Sequence, residues 1–130
     1  MNYNKLILVS GLPRSGKTSW ALDQGHPIVS RDGIREALHG KPYIQTAEDM
    51  VTAIETYMVK ALFAAGHKTV IVDATHLQKK YINRWIGNWD VQVHSIDTPT
   101  DICIERAVKD EKPELIPIIQ AMAKPEYQNK

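Results

Sequence analysis

The sequence predicts an α/β domain, with a mostly parallel sheet covered by helices on both faces in three layers. Three observations predict it. Short β-branched apolar runs alternate with helical segments along the chain. Two of those runs, Leu6-Ile7-Leu8-Val9 and Val70-Ile71-Val72, are continuously apolar, as strands buried on both faces are. A glycine-rich loop, Gly11 to Thr18, joins the first of them to a helical segment.

Taken in order, Leu6 to Val9 is the first strand and stops at Ser10-Gly11. Lys17 to Asp23 follows as a helix, which Gly25-His26-Pro27 breaks before a short apolar pair, Ile28-Val29. Ser30-Arg31-Asp32 opens a second helix through Leu38, ended by Gly40 and Pro42. Thr46-Ala47-Glu48-Asp49 places acidic residues at the positive end of a third helix. Apolar residues follow there at 51, 54, 58, 61, 62 and 65, in helical spacing, until Gly66. Lys68 to Asp73 is a strand ending in an aspartate. Leu77 to Asn88 reads as a helix on which Tyr81, Trp85 and Trp89 share a stripe, and core packing is the preferred explanation of that stripe over base stacking. Val91 to Ile96 is a strand. Thr100 to Lys109 and Glu114 to Lys124 are helices parted by Pro113, and Pro125 to Lys130 reads as a loosely held tail.

The 130 residues suit one domain, residues 1–130, with an apolar core of its own. Lys plus Arg number 16 and Asp plus Glu 15, so no whole-molecule field draws the chain to nucleic acid or membrane. The single Cys103 allows neither an internal disulfide nor a thiolate metal site, and it reads as a small buried apolar residue. No apolar run reaches membrane-spanning length, and the run after Met1 to Lys5 is too short for a signal peptide. The expectation is a cytoplasmic protein, in the cell or in one infected by the genome that encodes it.

Gly11-Leu12-Pro13-Arg14-Ser15-Gly16-Lys17-Thr18 satisfies G-x-x-x-x-G-K-(S/T) at every fixed position, between a strand and a helix. Such a P-loop binds a nucleotide triphosphate: glycines let the backbone approach phosphate oxygens, Lys17 reaches the β- and γ-phosphates, and Thr18 ligates Mg²⁺. Gly11 to Ser19 are therefore expected to bind ATP. No N-K-x-D stretch for reading guanine is present, and a mechanical ATPase needs a larger chain, which leaves a small kinase. A kinase acting on a hydroxyl needs a carboxylate near the acceptor, and Asp32 and Asp73 are the candidates. Spacing alone leaves Asp32 divided between that role and capping a helix.

The segments Gly11 to Ala21, Ser30-Arg31-Asp32-Gly33-Ile34-Arg35, Val70 to Leu77 and Arg84-Trp85 resemble the kinase domain of bacteriophage-type polynucleotide 5′-kinases and their P-loop relatives, in register across nearly the whole chain. The resemblance implies a parallel sheet of four or five strands with the loop at its centre. It also implies transfer of the γ-phosphoryl group of ATP, with Mg²⁺, to the 5′-hydroxyl of a DNA or RNA end. On the R-D-x-x-R pattern it makes Asp32 the general base and sets Arg35 against the acceptor's phosphate. Asp73 becomes the carboxylate that holds Mg²⁺ with Thr18, and Thr75 a substrate contact. In the family's D-(T/S)-N-L-like stretch, His76 stands where asparagine is usual, and it is assigned no catalysis. In the lid, residues 100–113, Arg106 matches the first of two phosphate-clamping arginines, whereas Asp110 stands where the second is expected, with Lys109 and Lys112 as substitute charges. The chain also stops where well-known members continue into a 3′-phosphatase domain, so phosphorylation alone is expected of it. Two other functions fit the loop: a small-molecule or nucleotide kinase, and an ATP-binding regulatory module without phosphotransfer.

Overall fold

A computed structural model describes residues 4–130; Met1 to Tyr3 of the domain expected over 1–130 lie outside the described residues. The apolar runs form strands, and helices connect them. In chain order the elements are β1 Lys5–Ser10, α1 Lys17–Asp23, β2 Ile28–Ser30, α2 Arg31–His39, α3 Glu48–Ala64, β3 Thr69–Asp73, α4 Lys79–Asn83, β4 Asp90–Ser95, α5 Thr100–Lys109, α6 Ile116–Met122 and α7 Pro125–Gln128. The four strands form one parallel sheet in the order β2-β3-β1-β4, the smaller of the two strand counts expected. Strand β1, which feeds the glycine loop, lies inside the sheet.

Side chains alternate across the pleat, so β1, β2 and β3 each supply two cores. Leu6, Leu8, Val29, Val70 and Val72, all fully buried, pack with Ile34, Val51, Val59, Phe63 and Trp85 from the helical layer on one face. Val9 and Ile71 pack with Ala21 of α1 and half-buried Trp20 on the other. Leu12 of the loop joins Cys103, Ala107 and Ile119 in a third cluster beneath α5 and α6, where Cys103 is buried as expected.

Register positions the site. Val9 of β1 lies beside Asp73 of β3, and Asp73 lies beside Ser30 of β2. The carboxyl ends of the three strands are thus level, and the segments that follow them emerge at one edge, where open parallel sheets bind their ligands.

Four expectations change, the last of them the loosely held tail from Pro125. The buried line of α3 runs Val51, Glu55, Val59, Phe63, a strict four-residue spacing that includes a carboxylate; Met58 of the expected stripe is exposed. The helix expected from Leu77 to Asn88 is the single turn of α4. Its end tightens as the Trp85 and Ile86 N–H groups donate to Ile82 and Asn83, and Gly87, at φ 114°, turns the chain into a bridge between Ile86 and Trp89. The aromatic stripe divides accordingly: Trp85 is buried, Trp89 packs beside it and Phe63, and Tyr81 is exposed. The last helix is shorter than Glu114 to Lys124, because Pro113–Leu115 form a 3-10 turn before α6. Pro125–Gln128 form one helical turn, and Gln78 Nε2 donates to the Tyr127 carbonyl at 3.0 Å. No helix among the described residues is long and apolar enough to cross a membrane.

Candidate active site

The loop folds as it does because its residues permit close approach and left-handed backbone. A Cβ on Gly11 would come within 2.6 Å of Ser15 Oγ and 3.0 Å of the Ile96 carbonyl. Gly16 sits at φ 104°, where a Cβ is strained, and Arg14 at φ 67°. The loop is stitched to its neighbours. The Gly11 N–H donates to the Thr75 carbonyl at 3.0 Å, and the Ser10 hydroxyl to the His76 carbonyl at 3.1 Å. His76 Nδ1 lies 2.6 Å from the Val9 carbonyl, which can only accept, so Nδ1 carries the proton. Burial of this ring pushes its pKa below the usual histidine value. From beyond β4, the Thr98 hydroxyl donates to the Ser15 carbonyl at 2.7 Å.

Lys17 Nζ donates to the Leu12 carbonyl at 2.8 Å, within its own loop. Burial depresses its pKa, while the carboxylates of Asp73 and Asp32 act in the opposite sense. Thr18 Oγ1 donates to Asp73 Oδ2 at 2.8 Å. Arg106 Nη1, from α5, donates to the Arg14 carbonyl at 3.2 Å. Asp110, the residue that departs from the expected arginine pair, accepts from Arg14 Nη2 at 2.6 Å, so its charge is met by a loop guanidinium.

The head of α2 follows Ser30, which lies beside Asp73. Ser30 is the helix cap, its hydroxyl accepting from the Gly33 N–H at 3.1 Å, which removes the capping explanation of Asp32. The Asp32 side chain is 88% exposed, and Arg35 Nη1 donates to its Oδ1 at 2.9 Å. Arg35 also grips Glu48 with Nε at 2.9 Å and Nη2 at 2.6 Å. Arg35 and Arg31 hold the Glu48 carboxyl below the usual carboxylate range, and Glu48 raises the Arg35 pKa. Behind them Glu55 Oε1 accepts from Arg31 Nη1 at 2.9 Å and from Arg84 Nη2. Arg84 lies 4.0 Å over the Trp85 ring and donates to the Thr56 hydroxyl at 3.0 Å.

The structure thus brings Lys17, Thr18, Asp73 and the loop together, with Arg106 against the loop, and sets the Asp32–Arg35 pair at the head of α2, directly after the strand residue that lies beside Asp73. Thr75 contributes its carbonyl to Gly11, and Ser19, Lys109 and Lys112 are exposed. Glu48, Glu55, Arg31 and Arg84 were not singled out from the sequence as site residues. Glu55 carried one legible signal: it interrupts the apolar series at 51, 59 and 63.

The residues fit a nucleotide phosphate with Mg²⁺. Ser15 Oγ, buried within the loop, has no partner among the described residues, and the first N–H groups of α1 have no intrahelical acceptor by helix geometry. The hydroxyl of Thr18 and the carboxylate of Asp73 are the oxygen donors that this hard cation takes. Among the described residues no three His, Cys, Asp or Glu side chains converge into a metal cage, so water and phosphate oxygens would complete the coordination.

A family model described as an AAA domain matches residues 6–117. No curated protein matches the sequence. Among solved structures, a chain titled "Structure of Pnkp1/Rnl/Hen1 complex" superposes with a TM-score of 0.70 at 23% identity, over 82% of this chain and 40% of that one. A chain of the "Pnkp1/Rnl/Hen1 RNA repair complex" gives 0.71 at 18% identity, over 94% and 46%. A gluconokinase from Sinorhizobium meliloti gives 0.60 at 18%, over 95% and 77%. This chain therefore spans less than half the length of the two chains from Pnkp1 complexes. These matches bear out the P-loop, kinase-like family recognised from the motifs, and with it the α/β fold.

Proposed function

The chain belongs to the AAA domain family and has a P-loop kinase-like fold, and from that premise we propose that it transfers the γ-phosphoryl group of ATP to a polynucleotide 5′-hydroxyl. One observation carries the choice of acceptor. An exposed carboxylate and a guanidinium, Asp32 and Arg35, are paired at 2.9 Å at the head of α2, beside the strand end that is level with Asp73. A carboxylate there suits the proton of a hydroxyl, and a guanidinium one helical turn away suits the phosphate next to the reacting nucleoside. Two backbone neighbours come from complexes of which one is titled an RNA repair complex, which supports a nucleic acid end as substrate.

Asp32 takes the proton of the 5′-hydroxyl as that oxygen bonds to the γ-phosphorus and the bond to the β–γ bridging oxygen breaks. Arg35 holds the acceptor's phosphate and so fixes the hydroxyl within reach. Lys17 exchanges the Leu12 carbonyl for phosphate oxygens, and Arg106 adds positive charge from α5. Thr18 and Asp73 would hold Mg²⁺, which offsets charge on the phosphate oxygens when bound. The Arg14–Asp110 pair keeps the Asp110 carboxylate from standing unneutralised beside them.

A screen with γ-labelled ATP tests the acceptor. Label is expected on 5′-hydroxyl oligonucleotides of RNA or DNA. Label only on gluconate, nucleosides or other small metabolites would overturn the reading in favour of a small-molecule kinase. Binding of ATP with no transfer to any acceptor would make the chain a regulatory module.

A further inference from the structure

Each nitrogen of the Arg35 guanidinium has a carboxylate partner. Nε and Nη2 take the two oxygens of Glu48, at 2.9 and 2.6 Å, and Nη1 takes Asp32 Oδ1 at 2.9 Å. A two-point grip of this kind fixes the plane of a guanidinium as well as its position. Glu48 is itself held from behind, because Arg31 Nη2 reaches its Oε1 at 3.2 Å. Arg31 is anchored in turn by Glu55 Oε1 at 2.9 Å and by the Thr52 hydroxyl at 3.2 Å. Side-chain exposure along this chain of partners is 2% at Glu55, 16% at Arg31, 19% at Glu48, 16% at Arg35 and 88% at Asp32. It begins at a buried anchor and ends in solvent.

The two ends of Arg35 therefore differ in how easily they exchange. The contact with Asp32 is a single bond to a solvent-exposed carboxylate, a kind of pair worth little in water. The contact with Glu48 is a bidentate pair with both members mostly buried, which is costly to break. An arriving phosphate group competes for the arm that is least firmly held.

Resting on the reading of a polynucleotide acceptor, we propose that Glu48 is a positioning residue. It holds Arg35 so that only Nη1 faces the acceptor, and Asp32 occupies that arm until the acceptor's own phosphate displaces it. Displacement leaves the Asp32 carboxylate without its cation at the moment the hydroxyl arrives. Binding of a correctly phosphorylated acceptor and release of the base are then one event.

The experiment compares two acceptors, a nucleoside and the corresponding nucleoside 3′-monophosphate, in the wild type, Glu48→Gln, Arg35→Ala and the double variant. The wild type is expected to prefer the 3′-monophosphate. Glu48→Gln should raise the KM for that acceptor by about tenfold while leaving the KM for ATP unchanged, and it should add nothing in the Arg35→Ala background. An unchanged acceptor KM would overturn the proposal, as would an equal rise for both acceptors and ATP, or full additivity with Arg35→Ala. If Glu48→Gln does not fold, Glu48→Asp, which keeps the charge but shortens the grip, is held to the same outcomes. NMR of the Arg35 Nε–H is independent of phosphotransfer. Its exchange with water should be slow in the wild type and fast in the Glu48 variant, and equal rates would overturn the proposed grip. A wild type that phosphorylates no 5′-hydroxyl would end the polynucleotide reading, while the NMR would still decide whether Glu48 holds Arg35.

Discussion

Lys17 and His76 show how a single residue trades stability against a site. Lys17 is largely buried beside the backbone of its own loop, and its lowered pKa records what that burial costs. Lys17→Met should therefore raise the melting temperature by a few degrees while lowering phosphotransfer by about 100-fold or more, the scale of losing a preorganised charge; calorimetry and labelled-ATP assays read the two effects. His76 is buried with Nδ1 on the Val9 carbonyl, and its pKa is lowered from 6.5. With the folded pKa below the unfolded one, the unfolded chain binds the proton first. Stability from this group is present above pH 6.5 and is lost as pH falls through the lower, folded value. Asparagine tolerates the left-handed φ of 44° at this position and can donate from its amide. His76→Asn should fold, and it should flatten the acid side of a melting-temperature profile run from pH 8 down to pH 5. The loop with Lys17 and Thr18 was legible from fixed local spacing, whereas spacing left Asp32 divided between two roles and only the resemblance singled out Arg35, which the structure pairs with Asp32 at 2.9 Å. The Arg14–Asp110 contact was not legible, since 96 residues of chain separate two charges that only the fold brings together.

Among the elements, the strands were legible because continuous β-branched runs have few other solutions, and α1 and α5 have the bounds read from the sequence. α4 was misjudged because Tyr81, Trp85 and Trp89 satisfy a helical period that Gly87 then interrupts. The sheltered face of α3 was misjudged for a more instructive reason. A carboxylate occupies the middle of its buried line, where an apolar count passes over it. Glu55 is 1% exposed and is tolerated there because two guanidiniums, Arg31 and Arg84, converge on it. It ties α3 to the head of α2 and to the segment after α4. Glu55→Ala leaves those cations without their shared partner and should cost about 3 kcal/mol, read as a lower urea midpoint. If the midpoint does not move, Glu55 is not the anchor described here.

At the scale of the whole molecule, function follows from register. Val9, Asp73 and Ser30 lie side by side on three parallel strands, so the glycine loop, a carboxylate beside its threonine, and a helix that begins with Arg31-Asp32 all open at one edge. Segments far apart in sequence meet there without an inserted domain among the described residues. The central claim is that the edge carries out phosphoryl transfer, with Asp32 acting on the acceptor and the loop acting on ATP. Single-turnover transfer from γ-labelled ATP to a 5′-hydroxyl trinucleotide, measured beside ATP affinity for the wild type and Asp32→Ala, tests this most directly. The wild type should label the 5′ end, and Asp32→Ala should bind ATP as the wild type does yet transfer about 100-fold more slowly or less. Transfer by Asp32→Ala at the wild-type rate, or no label on the trinucleotide with the wild type, would contradict the account.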